Sequence, residues 1–186
     1  MGRHPPLGPE SVPMVVVMGI DPGLANTGFG IVRVAGTNMS AIDGGVIETP
    51  SDLPPETRLG RIHAAIAELM DWHEPVSVGL EDLYFGKNVK SALAVGQARG
   101  VAMLAAAERG LACFDYTPQA VKMAVCGSGR AAKAQVQQMV GTLLGLPAPP
   151  SSDHAADALA VAICHAGHLA RHQAAQRADN RMKALA

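Results

Sequence analysis

Val15-Val16-Val17-Met18-Gly19-Ile20-Asp21-Pro22-Gly23 is the stretch on which the reading of the chain depends. The run up to Ile20 is short, rich in β-branched residues and closed by a turn former, which favours a buried strand over a helix. That strand ends in a carboxylate, Asp21. Residues 29–34 and 41–49 alternate well enough for two further strands, and the short link Ala35-Gly36-Thr37-Asn38 suits an antiparallel meander. The period then changes. After Pro54-Pro55-Glu56, Leu59, Ile62, Ile66, Leu69 and Met70 recur at three- and four-residue spacing, the stripe of an amphipathic helix that runs to about His73 and stops before Pro75. Residues 76–80 form a fourth apolar strand, and it too ends in acid, Glu81-Asp82.

A second helix over residues 88–108 is rich in small residues (Ala92, Gly96, Ala98, Gly100, Ala102), which lowers helix propensity but admits a closely approaching backbone. Gly110 supplies its stop signal. Residues 111–116 read as a fifth strand, and Thr117-Pro118 as an N-cap followed by proline at the first helical position. A helix over 131–144 carries Val136, Met139, Val140 and Leu143 on one face. The run 147–152 breaks it, and Ser151 or Ser152 caps a last helix that fades after Ala170. The order predicts an α/β domain: one five-stranded mixed sheet flanked by helices on both faces. Residues 1–13, with four prolines and no apolar period, read as a disordered extension, with Met14 as an alternative start; 14–170 form the domain and 171–186 a polar tail.

Composition narrows the function. The chain has 186 residues, 48% of them hydrophobic, enough for one core. A formal net charge of -1 gives no overall field to attract polyanions, so any nucleic-acid surface must be a local patch. The apolar run 15–18 is far too short for a membrane span or signal-peptide core, so a cytoplasmic protein with no membrane partner is expected. Cys113, Cys126 and Cys164 lie far apart, which speaks against a disulfide framework or zinc knuckle.

The chemistry gathers at two strand ends and one helix start. If the strands ending in Asp21 and Glu81 are neighbours, both acids meet at one sheet edge, where ligand sites are favoured. In Ser152-Asp153-His154-Ala155-Ala156-Asp157, His154 and Asp157 are three apart and share a helical face. Carboxylates brought together repel one another unless a cation compensates, and hard oxygen donors select Mg²⁺ or Mn²⁺. Two such ions can activate water on one side of a phosphodiester and stabilise the leaving oxygen on the other. Plainer readings stand beside this one. Asp21 before Pro-Gly is also a turn former, Glu81-Asp82 also a solvated strand end, and Asp153 most simply serves the cap and helix dipole. Asp157, inside an otherwise apolar helix, is harder to explain without a partner. His165, His168 and His172 read as an exposed stripe rather than a second metal site.

Charge adds direction. Residues 40–82 hold nine acidic and two basic side chains, whereas residues 86–135 hold seven basic ones (Lys87, Lys90, Arg99, Arg109, Lys122, Arg130, Lys133) against two acidic. Gly127-Ser128-Gly129-Arg130 suits exposure of backbone N–H groups and a guanidinium to phosphate. Tyr84 and Phe85, between the acidic strand end and Gly86-Lys87, offer an aromatic for stacking on a base, with core filling the better account for one of the two.

Gly19-Ile20-Asp21-Pro22-Gly23 with Thr27-Gly28-Phe29-Gly30, Glu81 followed by Tyr84-Phe85 and Lys87-Asn88, Ser91-Ala92-Leu93 with Gly96-Gln97-Ala98-Arg99-Gly100, Val121-Lys122 with Gly127-Ser128-Gly129, Lys133 with Gln135-Val136, and Asp157-Ala158-Leu159-Ala160 together resemble the RuvC family of bacterial Holliday junction resolvases, over about residues 14–168. The resemblance implies a ribonuclease H-like fold and a homodimer that resolves four-way DNA junctions by paired symmetric nicks, leaving 5′-phosphate and 3′-hydroxyl ends. It implies Asp21, Glu81, His154 and Asp157 as catalytic metal ligands for two Mg²⁺ ions, Tyr84 as a base-contacting aromatic, Lys122 and Lys133 as phosphate contacts, the second helix as much of the dimer interface, and a branch-migration motor of the RuvA-RuvB type as partner. Phe85, Lys87, Asn88 and Arg130 complete the expected DNA surface. Three departures stand out. His154 occupies a position where many members carry Asp, which calls for a neutral imidazole and inclines the site toward Mn²⁺, with Asp153 a possible substitute. Asp82 puts a negative charge where a neutral polar residue is expected, and residues 1–13 have no counterpart. Two rival classes are an actin-like ATPase, which usually needs a second such domain, and a junction-binding protein without activity, which would not need the acids.

Overall fold

The computed structural model describes the backbone of residues 14–82 and 89–184, and the side chains of 14–82 and 92–172. The expected extension 1–13 therefore lies outside the described residues. The elements follow the order β1 (Met14–Asp21), β2 (Asn26–Ala35), β3 (Asn38–Glu48), α1 (Pro55–His73), β4 (Ser77–Glu81), α2 (Val89–Ala107), β5 (Ala112–Tyr116), α3 (Pro118–Cys126), α4 (Lys133–Leu144) and α5 (Asp153–Ala184). The sheet order is β3-β2-β1-β4-β5; β1, β2 and β3 pair antiparallel, whereas β4 pairs parallel with both β1 and β5. This is the five-stranded mixed sheet the sequence predicts, in the ribonuclease H-like arrangement implied by the resemblance.

Strand alternation divides the core into two layers. Met18, Ile20, Ile31, Val78 and Leu80 point to one face, under Ile62, Ile66 and Met70 of α1 and Ala98, Ala102 and Ala105 of α2. Val17, Val32 and Tyr116 point to the other, under α5, which is packed in turn beneath Val121 and Val125 of α3 and Val136 and Val140 of α4. Each large side chain so removed from water contributes roughly 1.5–3 kcal/mol. Helix ends follow their local chemistry. Thr117 Oγ1 accepts from the Ala120 amide at 3.2 Å, as an N-cap should, and Gly127 and Gly145 close α3 and α4 in the left-handed conformation. Helix α5 does not fade at Ala170 as expected but continues to Ala184. After Gly167 the sequence holds no glycine or proline, and Ala, Arg, Gln and Lys sustain a helix without needing an apolar face. Among the described residues no helix is long and apolar enough to cross a membrane.

Candidate active site

Sheet register builds the site row by row. Gly19 of β1 lies opposite Gly30 of β2 and beside Gly79 of β4, so three glycines make a transverse row facing α5. The row before it holds Val32, Val17 and Ser77. The row after it, one pleat further toward the C-terminal ends of β1 and β4, holds Gly28, Asp21, Glu81 and Tyr116. The two acids thus lie on the same face, at the same end, on neighbouring parallel strands.

The glycines let a helix backbone lie directly on the sheet. A Cβ on Gly28 would come within 2.1 Å of the His154 carbonyl oxygen, one on Gly19 within 2.2 Å of the Ala158 carbonyl, and one on Gly30 within 2.8 Å of the Leu159 backbone. Ser152 caps α5: its Oγ accepts from the Ala155 amide at 3.5 Å, and its carbonyl accepts from Ala156 at 3.0 Å. The first turn of α5 is thereby pressed against Asp21 and Glu81, with His154 and Asp157 on the side that meets them.

His154 Nδ1 lies 2.8 Å from Asp21 Oδ2. An ionised carboxylate can only accept, so the ring donates from Nδ1, and a neutral imidazole keeps the Nε2 lone pair free for a metal. Lys133 Nζ bridges Asp153 Oδ2 at 3.1 Å and Asp157 Oδ2 at 3.3 Å, and Gln137 Nε2 donates to Asp153 Oδ1 at 2.6 Å. Burial, followed by the charges of Asp21 and Asp157 and a hydrogen bond with Asp21, pushes the Glu81 carboxyl up to about 8. At neutral pH Glu81 therefore holds a proton. Burial also raises Asp157, against the pull of Lys133, and Asp21 adds to the rise. Burial alone would lower Lys133, but Asp153 and Asp157 outweigh it and hold the ammonium above its usual range.

Among the described residues no three His, Cys, Asp or Glu side chains are spaced as a ready metal cage. The donor set nevertheless fits a hard divalent cation. Burial, with the mutual repulsion of three half-buried acids, keeps Glu81 protonated, and a cation between them relieves that cost. Asp153, in contrast, faces Lys133 and Gln137 rather than Asp21.

Beside the acids opens a cleft of about 170 Å³ lined by Glu81, Pro118, Val121, Lys122, Lys133, Val136, Asp157 and Ala160. Both lysines expected to contact phosphate thus share walls with two of the acids. Arg130 is exposed on the turn before α4 and does not line this cleft. Asp82 is exposed, its amide donating to the Tyr116 carbonyl at 2.8 Å. Tyr84, Phe85, Lys87 and Asn88 lie outside the described residues.

One expectation is corrected. His165 belongs to no exposed stripe: it is 0% exposed, stacked near Phe114, with Nε2 2.8 Å from Ser77 Oγ and Nδ1 2.9 Å from Tyr116 OH. Burial, aided by His168, lowers its pKa to about 4, so it stays neutral. The periodicity of the tail carried the reading too far back along the helix. His172 is exposed as expected.

Sequence reasoning missed the clasp on the turn after Asp21. Thr27 Oγ1 donates to the Gly23 carbonyl at 2.6 Å, Thr49 Oγ1 donates to the Leu24 carbonyl, and the Thr49 amide donates to the Ala25 carbonyl at 3.0 Å. Arg58 of α1 holds Thr49 in turn, with Nε 2.9 Å from its Oγ1. Thr27 at the start of a strand was the available signal.

Comparison with known proteins identifies the family. Residues 17–165 match the family model described as crossover junction endodeoxyribonuclease RuvC. The chain is 51% identical over 154 residues to the crossover junction endodeoxyribonuclease RuvC of Pelotomaculum thermopropionicum, covering 83% of this chain and 94% of that protein. It is 51% identical over 152 residues to that of Moorella thermoacetica, covering 82% and 91%. Among solved structures it is similar to Thermus thermophilus RuvC in complex with Holliday junction substrate, with a TM-score of 0.81, 38% identity, and coverage of 85% of this chain and 96% of the other.

Proposed function

The chain belongs to the crossover junction endodeoxyribonuclease RuvC family, and on that premise we propose that it resolves four-way DNA junctions in recombination and repair through the acid cluster at the ends of β1 and β4. The observation that carries this reading is the meeting of Asp21, Glu81, His154 and Asp157, from three distant segments, beside a cleft walled by Lys122 and Lys133. We assign the nuclease unit to residues 14–170 and the protein to the cytoplasm.

Asp21, Glu81, His154 and Asp157 would hold two Mg²⁺ ions, or Mn²⁺ at a site that includes an imidazole. When bound, such ions lower the pKa of an attacking water and stabilise the departing 3′ oxygen, leaving a 5′-phosphate. The protein's own groups prepare that chemistry. Glu81 must release its proton before it can ligate, and the neighbouring acids and burial set that proton's hold. His154 is oriented by its hydrogen bond to Asp21. Lys133, drawn toward Asp157, would exchange that partner for a backbone phosphate, with Lys122 on the same wall and the exposed Arg130 as a further phosphate contact. Tyr84 and Phe85 would contact bases next to the cut, with Lys87 and Asn88 on the flanking phosphates. Leu93, Met103 and Leu104 of α2 are exposed apolar side chains, which suits a homodimer seated on that helix. A branch-migration motor of the RuvA-RuvB type would deliver the junction.

Incubation with a synthetic four-way junction, with and without Mg²⁺ or Mn²⁺, tests the proposal. Paired nicks that need the metal are expected; cleavage of linear duplex at the same rate would overturn it.

A further inference from the structure

Asp21 is the last residue of β1, and the four residues after it turn the chain into β2. Such a turn would normally be free to shift, and with it the carboxylate. Here three consecutive carbonyls of the turn are each tied down: Gly23 by Thr27 Oγ1, Leu24 by Thr49 Oγ1, and Ala25 by the Thr49 amide. The two threonines are 0% and 5% exposed. Thr49 lies one residue beyond the end of β3, so nothing in the β2–β3 ladder requires its side chain to turn inward.

Arg58 completes the hydrogen bonding at the Thr49 hydroxyl. A guanidinium donates and cannot accept, so with Arg58 Nε 2.9 Å away the Thr49 hydroxyl must accept there, and its own proton is left for the Leu24 carbonyl. Arg58 Nη2 also reaches the Thr49 carbonyl at 3.4 Å. Arg58 sits in the first turn of α1, whose Ile62, Ile66 and Met70 are locked in the core. The turn is thereby anchored to the α1 layer of the core.

We propose that Arg58 and Thr49 are positioning residues for cleavage: through the Gly23–Ala25 turn they hold Asp21 at the place where it must meet Glu81 and His154. This rests on Asp21 being a metal ligand, as proposed above. Outer-shell partners of this kind act by orienting a ligand rather than by touching substrate.

The test compares Thr49→Val, which keeps shape but loses the hydroxyl, with Thr49→Ser, which keeps the hydroxyl. Mn²⁺ is titrated calorimetrically into the DNA-free protein, and cleavage of a four-way junction is followed alongside junction binding in chelator. Thr49→Val should weaken Mn²⁺ binding and lower kcat by about tenfold each, with KM for the junction unchanged and Thr49→Ser within about twofold of the parent. Unchanged Mn²⁺ affinity in Thr49→Val would overturn the proposal, even if its Tm falls. Should Thr49→Val fail to fold, Arg58→Met, altered at a half-exposed position, decides by the same titration. Asp21→Asn is measured in parallel. If Asp21→Asn still cleaves, the premise itself fails; if it is inactive while Thr49→Val matches the parent, only the clasp is refuted.

Discussion

Asp21 combines two tasks that substitution can separate. On the proposed function its carboxylate serves the chemistry, whereas its place in β1 is set by the backbone ladder, which an amide of the same shape leaves intact. Asp21→Asn is therefore expected to bind a four-way junction within a few-fold of the parent while nicking falls by at least about a hundredfold, as read from gel shift and single-turnover cleavage. Loss of both together would mean that the residue holds the DNA. The neighbouring Asp153 and His154 divide similarly. The carboxylate of Asp153 is held by Lys133 and Gln137, and only His154 reaches Asp21. Cleavage by Asp153→Asn should stay within about threefold of the parent, whereas His154→Ala should lose about a hundredfold and need more metal for half-maximal rate. The reverse ranking would exchange their roles.

Helix α5 reaches the acids only because the strands beneath it carry no side chains at four crossing points. Gly28→Ala would drive a methyl group into the His154 carbonyl, a backbone atom that cannot swing aside, and should cost about 2–3 kcal/mol in denaturant unfolding. Gly60→Ala, in α1 with nothing within 4 Å of the new methyl, should instead stabilise by about 0.5–1 kcal/mol. Equal effects would refute the close-approach account. The strand ends were legible in the sequence because they depend on local signals, namely a β-branched run closed by Asp-Pro-Gly at Asp21 and an apolar run closed by Glu-Asp at Glu81. Their adjacency was a supposition until the β1–β4 pairing appeared, since nothing local distinguishes neighbours in a sheet. Gly19, Gly28, Gly30 and Gly79 drew no structural reading, for their meaning lies in a row across strands rather than along one. Burial of His165 was missed for a related cause: residues 158–166 of α5 are buried on every side, so the helix there shows little amphipathic contrast.

Across the folded chain two opposed titrations shape the pH response in the absence of metal. Glu81, raised from 4.5 to about 8, holds in the native state a proton that the unfolded chain has released, so its contribution falls as pH rises through that window. His165, lowered from 6.5 to about 4, has the opposite sign: the unfolded chain binds the extra proton, and stability falls as pH drops from 6.5 toward 4. Between 4.5 and 6.5 the two oppose each other, whereas above pH 6.5 the Glu81 effect is no longer opposed by His165, so Tm in chelator should decline from pH 6.5 to 8. Glu81→Gln should remove that decline, and its persistence would place the proton elsewhere. Assembly offers a separate check. Leu104, 53% exposed on α2, is expected at the dimer contact, and Leu104→Glu should yield monomers in sedimentation velocity and leave junctions singly nicked. A dimer that survives the charge would move the contact off this helix. Because His154 lies 133 residues beyond Asp21, on α5 with Asp157, a nascent polypeptide already carrying Asp21 and Glu81 holds only half of the proposed ligand set. Stalled chains released before residue 153 should therefore be harmless to DNA.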